Sequence, residues 1–523
     1  MFSMVMLRFL LCLAAFLPAA FGAPLETFED LVRAFRAGHR VAANFDTRLC
    51  EHDDTPEPFL ASVHFSQWEY EETADLASVI AIESFVTQRG TFVLLIMVAG
   101  SDGGAEINGF EVSFETDLIV DSFLVACTVG LGAFFVEKGN HQPDTAVGSY
   151  DQLMTVLTDG RQLSIVLTMN ECEGFVEPEV NLAEFGSSYY QFYVIPDETG
   201  DGAVIVEWPG LFLSQVQDET VYSMLRLIVG QDGSVSFRGN YYNTQTWQDE
   251  FFDQEGFQCV LGESANFYFA ADDAYDSFGT YSELSAAFFA GKEIQAAVNI
   301  PMCTPIEGNL PGILYAGTKV ELWERWFSSD ILFYQSIVNL AGEIVQQVFT
   351  LDGEEILVAA ETVNPADPGA VPETVRFSCP IGSGSMFSAP AFDQSELREY
   401  ALVVKAELSG AKLSAQLNFS ECVDVSGMFT YGIVRAHLQN LLVRDLDTEE
   451  ETLFASAFSG RYDADHAAFT YEVWGVSIDG NNQAKIFPGF WDYNPLTGEF
   501  LNLFEEVVVE CTLGEGLIIS EEA

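Results

Sequence analysis

Basic residues are scarce in this chain: 21 Lys and Arg stand against 79 Asp and Glu, a formal net charge of −58 over 523 residues. A field of that sign repels phosphate backbones and anionic lipid, so nucleic acid and membrane surfaces are not expected as partners, whereas cations and basic proteins stay open. The plain account of the charge is solubility at high extracellular salt, where screening makes self-repulsion tolerable. Histidine is scarcer still, with only His39, His52, His64, His141, His437 and His466. No H-x-H, H-E-x-x-H or C-x-x-C pattern occurs, so a zinc site would need residues distant in sequence, and a redox-active cysteine pair is not expected. Phosphate-binding glycine loops and the G-x-S-x-G elbow are missing too; Gly382-Ser383-Gly384-Ser385 resembles the elbow only superficially, since it continues a C-x-x-G-x-G turn that also follows Cys127 and Cys511. Beyond the first 22 residues no apolar run approaches the roughly 20 residues of a spanning helix.

What is present is repetition. A glycine is followed twelve residues later by a cysteine four times: Gly38 to Cys50, Gly160 to Cys172, Gly291 to Cys303 and Gly410 to Cys422. A second cysteine closes each copy, at Cys127, Cys259, Cys379 and Cys511, and opens a C-x-x-G turn. The expected plan is a secretory signal over residues 1–22, with Arg8, an apolar run and small residues Ala20 and Gly22 before the cut, then modules at 23–146, 147–277, 278–391 and 392–523. Cutting the signal removes Cys12 and leaves eight cysteines in an oxidising compartment. If each copy folds alone, Cys50 pairs with Cys127, Cys172 with Cys259, Cys303 with Cys379 and Cys422 with Cys511. Each bridge would then close a loop worth about 4 to 5 kcal/mol in the chain-entropy picture. The mature protein is expected to be secreted and soluble.

Within a copy, a hydroxyl residue precedes an acidic or amide residue by three: Thr27 and Asp30, Ser149 and Gln152, Thr280 and Glu283. That spacing starts a helix, and Leu31 with Phe35, Leu153 with Leu157 and Leu284 with Phe288 give it one apolar face before the glycine ends it. In the fourth copy Glu399 stands at the cap and Glu407 in the apolar register beside Val403, which predicts a looser or shifted helix. Strand-like runs follow at 41–45, 163–167, 294–300 and 413–419, and Asp-Gly pairs at Asp102, Asp232, Asp352 and Asp479 predict hairpins. Asn243, Asn364 and Asn494 suit a turn before the last strands, at 257–261, 375–381 and 506–513, with 123–129 in the first copy. The fold class is α+β: four tandem modules, each a short N-terminal helix on a mainly antiparallel sheet of six to eight strands, a number that permits closure into a barrel, stapled by one disulfide. Short polar linkers at 137–148, 272–279 and 388–395 keep neighbouring modules close.

This order of helix, glycine, strand, cysteine, hairpin, asparagine turn, strand and cysteine resembles the VirK-like family of small secreted proteins. The second copy carries the resemblance best, in Leu225-Arg226-Leu227-Ile228-Val229, Asp232-Gly233-Ser234-Val235 and Tyr242-Asn243-Thr244. The first copy lacks the asparagine and the fourth alters the helix start. The family implies no catalytic residues for this chain.

No catalytic or cofactor-binding residue is therefore assigned. None of the histidines recurs at an equivalent place in another copy. Asp197-Glu198-Thr199-Gly200-Asp201-Gly202 imitates the start of a calcium loop, but position twelve is Trp208 and the carboxylate Glu207 falls one residue early, so it reads as an acidic turn and calcium binding as weak and diffuse. Glu69-Tyr70-Glu71-Glu72 and the run Asp445 with 447–451 read as solvated acidic faces. Trp323 and Trp326, at helical spacing, and Trp474 and Trp491 read mostly as core. Asn418-Phe419-Ser420 is the single glycosylation sequon, making Asn418 the candidate. The expected function is a secreted binding or interaction protein with an unknown protein or small-molecule ligand and no catalytic role. An acidic matrix or calcium-associated mineral protein is the alternative, and an enzyme assembled from residues without a motif the third.

Overall fold

The computed structural model describes residues 24–522 except 53–58, 66, 74–75, 87–90, 114–118, 138–144, 162, 175–181, 189–190, 197–201, 215–218, 244–255, 271–274, 291, 321, 326–329, 339–342, 365–372, 392–393, 410, 425–431, 439, 445–450, 464–467, 495–498 and 503–507. The residues read above as a secretory signal lie outside this set.

Four helices are described: α1 (Phe28–Arg36), α2 (Tyr150–Thr158), α3 (Tyr281–Ala290) and α4 (Tyr400–Leu408). The first three start as the hydroxyl spacing dictates. Thr27 Oγ1 accepts the Asp30 amide at 3.1 Å and Ser149 Oγ the Gln152 amide at 3.3 Å. Thr280 Oγ1 accepts the Glu283 amide at 3.3 Å while Glu283 Oε2 reaches back to the Gly279 amide at 3.1 Å. Glu399 makes no such bond, yet α4 has the same nine residues as α1 and α2. It is neither shorter nor shifted, because the Tyr400 amide donates to Asn482 Oδ1 at 2.8 Å, an acceptor supplied by a hairpin turn 82 residues away. Asn482 holds φ 64°, a left-handed backbone that asparagine tolerates better than most residues.

After each helix a first strand (Val41–Asp46, Leu163–Thr168, Gln295–Asn299, Leu413–Asn418) pairs antiparallel with the last strand of its module (Gly132–Glu137, Ala265–Phe269, Ser385–Pro390, Gly516–Glu522). A single 3-10 turn then delivers the first cysteine to the strand that carries the second. Sulfur bridges join Cys50 to Cys127, Cys172 to Cys259, Cys303 to Cys379 and Cys422 to Cys511. The Asp-Gly pairs turn hairpins: Asp102 Oδ1 accepts the Gly104 amide and Asp232 Oδ1 the Ser234 amide, both at 3.0 Å.

Between the cysteines each module has one strand broken in two: Leu60–Phe65 and Gln67–Glu72, Leu182–Ser188 and Gln191–Ile195, Tyr315–Lys319 and Leu322–Arg325, Ile433–His437 and Asn440–Arg444. The first half pairs with the first strand of its own module, and the second half with the first strand of its own meander. The other edge of each half goes to a neighbour. Module one meets two through Gln67–Glu72 on Leu182–Ser188, two meets three through Gln191–Ile195 on Tyr315–Lys319, three meets four through Leu322–Arg325 on Ile433–His437. The fourth seam returns to the beginning, with Asn440–Arg444 on Leu60–Phe65. The four modules thus form a closed cycle.

Here the barrel-like closure that the strand number permitted is corrected: among the described residues no sheet closes into a barrel. In modules two and three the two halves of the broken strand fall in different sheets, and in all four modules the outer edge of each half pairs with a neighbouring module and not with the other half. The coarser class stands, α+β with mostly antiparallel sheets and four disulfides.

Nor are the cores sealed within modules. Val166 of the second module completes the core of the first, Ala297 of the third that of the second, and Leu322 of the third that of the fourth. Two seams require glycine. A Cβ on Gly186 would stand 2.1 Å from the Trp68 ring, and one on Gly317 would stand 2.1 Å from the Phe192 ring, in register across the strands. Gly186→Ala is expected to destabilise the protein by about 1 to 3 kcal/mol through overpacking. In chemical denaturation that loss should shrink when Trp68→Leu is combined with it; additive losses would show that the seam does not depend on this contact.

Candidate functional site

Gly38 (φ 77°) and Gly160 (φ 71°) turn the chain sharply at the ends of α1 and α2, and the second residue after the repeated glycine lies just before the first strand. That position holds Arg40, Gln162, Glu293 and Lys412 in the four copies. Gln162 is outside the described residues; the other three meet. Lys412 Nζ lies 2.5 Å from Glu293 Oε2, Lys319 Nζ 2.6 Å from Oε1, and Arg40 Nη1 3.8 Å from Oε2. Modules one and three share no strand pairing among the described residues, so Arg40 and Glu293 touch across the axis. Burial alone would raise the Glu293 pKa, but Lys319, Lys412, Arg40 and His437 outweigh it and hold the carboxyl well below its usual range. Glu293 therefore stays ionised into mild acid.

A second buried polar cluster joins modules two and three. Glu207 accepts from Arg226 Nε at 2.6 Å, Tyr193 Oη at 3.1 Å and Gln191 Nε2 at 3.2 Å, and Gln335 Nε2 donates to Gln191 Oε1 at 3.2 Å. Burial raises the Glu207 pKa despite Arg226, and burial followed by the Glu207 charge raises that of Tyr193. Glu207 thus belongs to a strand ladder and not to a calcium loop; residues 197–201 of that acidic turn lie outside the described residues. At the seam between modules four and one, His64 Nε2 contacts Glu407 Oε1, and Asn44 Nδ2 donates to the Leu408 carbonyl at 2.8 Å. Glu407 occupies the buried register that Phe35, Leu157 and Phe288 hold elsewhere.

No protein-family model matches the chain, and no curated protein matches it. The crystal structure of a VirK family protein from Legionella pneumophila matches at 19% identity and a TM-score of 0.20, over 21% of this chain and 97% of that one. The likeness is distant and partial.

The remaining sequence candidates are spread through the molecule. His39 Nδ1 bonds Glu137 Oε1 at 2.9 Å, the His52 side chain is not described, and His141 and His466 fall outside the described residues. His64 and His437 do recur at equivalent places, opposite Ala42 and Ser414 in the same register; their distances from the repeated glycine differ by one residue, which hid the equivalence. No group of three or more His, Cys, Asp or Glu among the described residues forms a metal site. Asn418 Oδ1 accepts from the Ser420 amide at 3.2 Å and the Ser420 hydroxyl at 2.7 Å. Ser385 is buried and bonds the Pro380 carbonyl at 3.3 Å, a turn contact with no partner for nucleophilic work in that bond. Trp323 sits in a strand, not a helix, and is buried beside Phe288 and Phe289; Trp326 is outside the described residues. Trp474 is core, packed on Phe419, and the Trp491 side chain is not described. Of the second acidic run only Glu451 is described, accepting the Tyr400 hydroxyl at 3.0 Å.

The axial residues Arg40, Glu293, Lys319 and Lys412 were missed in the sequence. For Arg40, Glu293 and Lys412 the signal is a single register position that changes charge from copy to copy beside an otherwise repeated glycine; Lys319 stands on another strand, opposite Gln295. The other correction is Glu69-Tyr70-Glu71-Glu72, which is a solvated face only at Glu72, with Glu69 and Glu71 half-buried. It is a seam strand with Tyr70 in the core, and burial, reinforced by Glu71, pushes Glu69 up to about 7. A carboxyl whose folded pKa is raised costs stability as pH climbs from the usual carboxylate range through about 7. Glu69→Gln is accordingly expected to raise Tm at pH 8 and to leave it unchanged at pH 4; an equal gain at both values would contradict the shift.

Proposed function

We propose that the protein is a secreted binding protein, assembled from four VirK-like modules, whose recognition region is the axis of the cycle and not four separate module faces. The observation that carries this reading is the convergence of residues that differ between copies. Positions shared by all four modules are accounted for by folding, whereas Arg40, Glu293 and Lys412 share one register position, cationic in two copies and anionic in a third, and meet at one place. Four disulfides fit an oxidising, extracellular setting. The helix, glycine, strand and cysteine order of every copy supports the VirK-like reading of the modules, with boundaries after residues 146, 277 and 391.

Hydrogen exchange of the full chain with and without a panel of sugars, amino acids, carboxylates and phosphates tests this. Protection by an active compound is expected around Arg40, Glu293 and Lys412; protection confined to the Asp-Gly hairpin turns would sink it. A net charge of −58 supports one other reading, an acidic matrix protein. That role predicts calcium uptake and adsorption to a mineral surface at marine-like salt, and the absence of adsorption removes it.

A further inference from the structure

The axial cluster runs against the grain of the chain. In a sequence with 79 acids and 21 Lys and Arg, three cationic heads gather within 3.8 Å of one carboxylate. A buried carboxylate is compensated by about one well-placed counter-charge, and every further buried cation adds a desolvation cost. Among the described residues, the charged groups that act on Glu293 are Lys319, Lys412, Arg40 and His437, all of them basic. Exposure is graded across the cluster: the Glu293 side chain is 3% exposed, Lys412 9%, Arg40 16% and Lys319 20%. The carboxylate is the most buried side chain of the four, and those of Arg40 and Lys319 are the most exposed.

We propose that this cluster is the binding site of a small oxyanion carrying two negative charges, such as phosphate, sulfate or a short dicarboxylate, held between Arg40 and Lys319 with Lys412 and Glu293 behind. This rests on the axis being the recognition region and adds its ligand chemistry. The planar fork of Arg40 pairs with two oxygens at once, and Lys319 and Lys412 contribute movable point charges. Glu293 orients both lysines and restrains the site, since its own charge opposes the incoming anion.

Isothermal titration of the full chain with inorganic phosphate, sulfate and succinate, in a buffer free of other oxyanions, tests the site. Saturable binding of at least one is expected, weakened at least tenfold by Arg40→Met and by Lys319→Met and unchanged by Lys485→Met, whose side chain is exposed on another strand. Glu293→Gln is expected to tighten binding, and where that variant is destabilised the same anion should raise its Tm more than that of the native protein. Binding of phosphate or sulfate without succinate assigns a tetrahedral anion, and the reverse a dicarboxylate; both support the site. No saturable binding to the native chain, together with no anion rescue of Glu293→Gln, overturns it. Binding of a neutral compound that Arg40→Met abolishes would overturn the anion assignment while leaving the axis as the recognition region, whereas anion binding indifferent to both substitutions would overturn both.

Discussion

The broken central strand is the constraint from which the rest of the architecture follows. An unpaired strand edge presents a row of amide and carbonyl groups that must find partners, and here each half-strand has one edge inside its module and one outside. The outside edges are satisfied by the next module and the previous one, so the cycle closes when the last module reaches the first. Val166 and Ala297, on first strands, and Leu322, on a half-strand, enter foreign cores. A module taken alone would expose both the hydrogen-bonding edges and these apolar side chains.

Because the four backbones repeat, side chains at equivalent positions are brought to equivalent places, and differences between copies become differences in chemistry around one axis. Arg40, Glu293 and Lys412 form an ion cluster there; His64 and His437 occupy one register position, yet His64 meets Glu407 whereas His437 acts on Glu293. The aromatic of one seam strand lies on glycine at two seams, while at the third Trp323 stands opposite the buried Arg435, whose Nη2 donates to Ser414 Oγ at 2.7 Å. A repeated fold with substituted seams gives the molecule one asymmetric centre.

Local chemistry was legible. The caps Thr27, Ser149 and Thr280, the apolar pairs four and eight residues further on, and the Asp-Gly turns act within a few residues, so their spacing states their structure. What acts over distance was not. The cap of α4 comes from Asn482, and no pattern near Glu399 hints at it. Glu69 and Glu71 alternate with Trp68 and Tyr70, a strand signal that the acidic run concealed, and Trp323, whose spacing to Trp326 imitates a helix, lies in a strand. The possible barrel failed for a related reason: counting strands says how many edges exist but not whose edges they meet.

By itself the sequence determined the fourfold copying, the helix and hairpin starts and the acidic charge, because each is written in composition or in spacings of a few residues. The tertiary structure alone decided that the copies share strands and cores, that the cycle closes between the fourth module and the first, and that three cations surround Glu293. Those outcomes depend on edges and faces meeting across hundreds of residues, and the free energy of such meetings has no local trace in the chain.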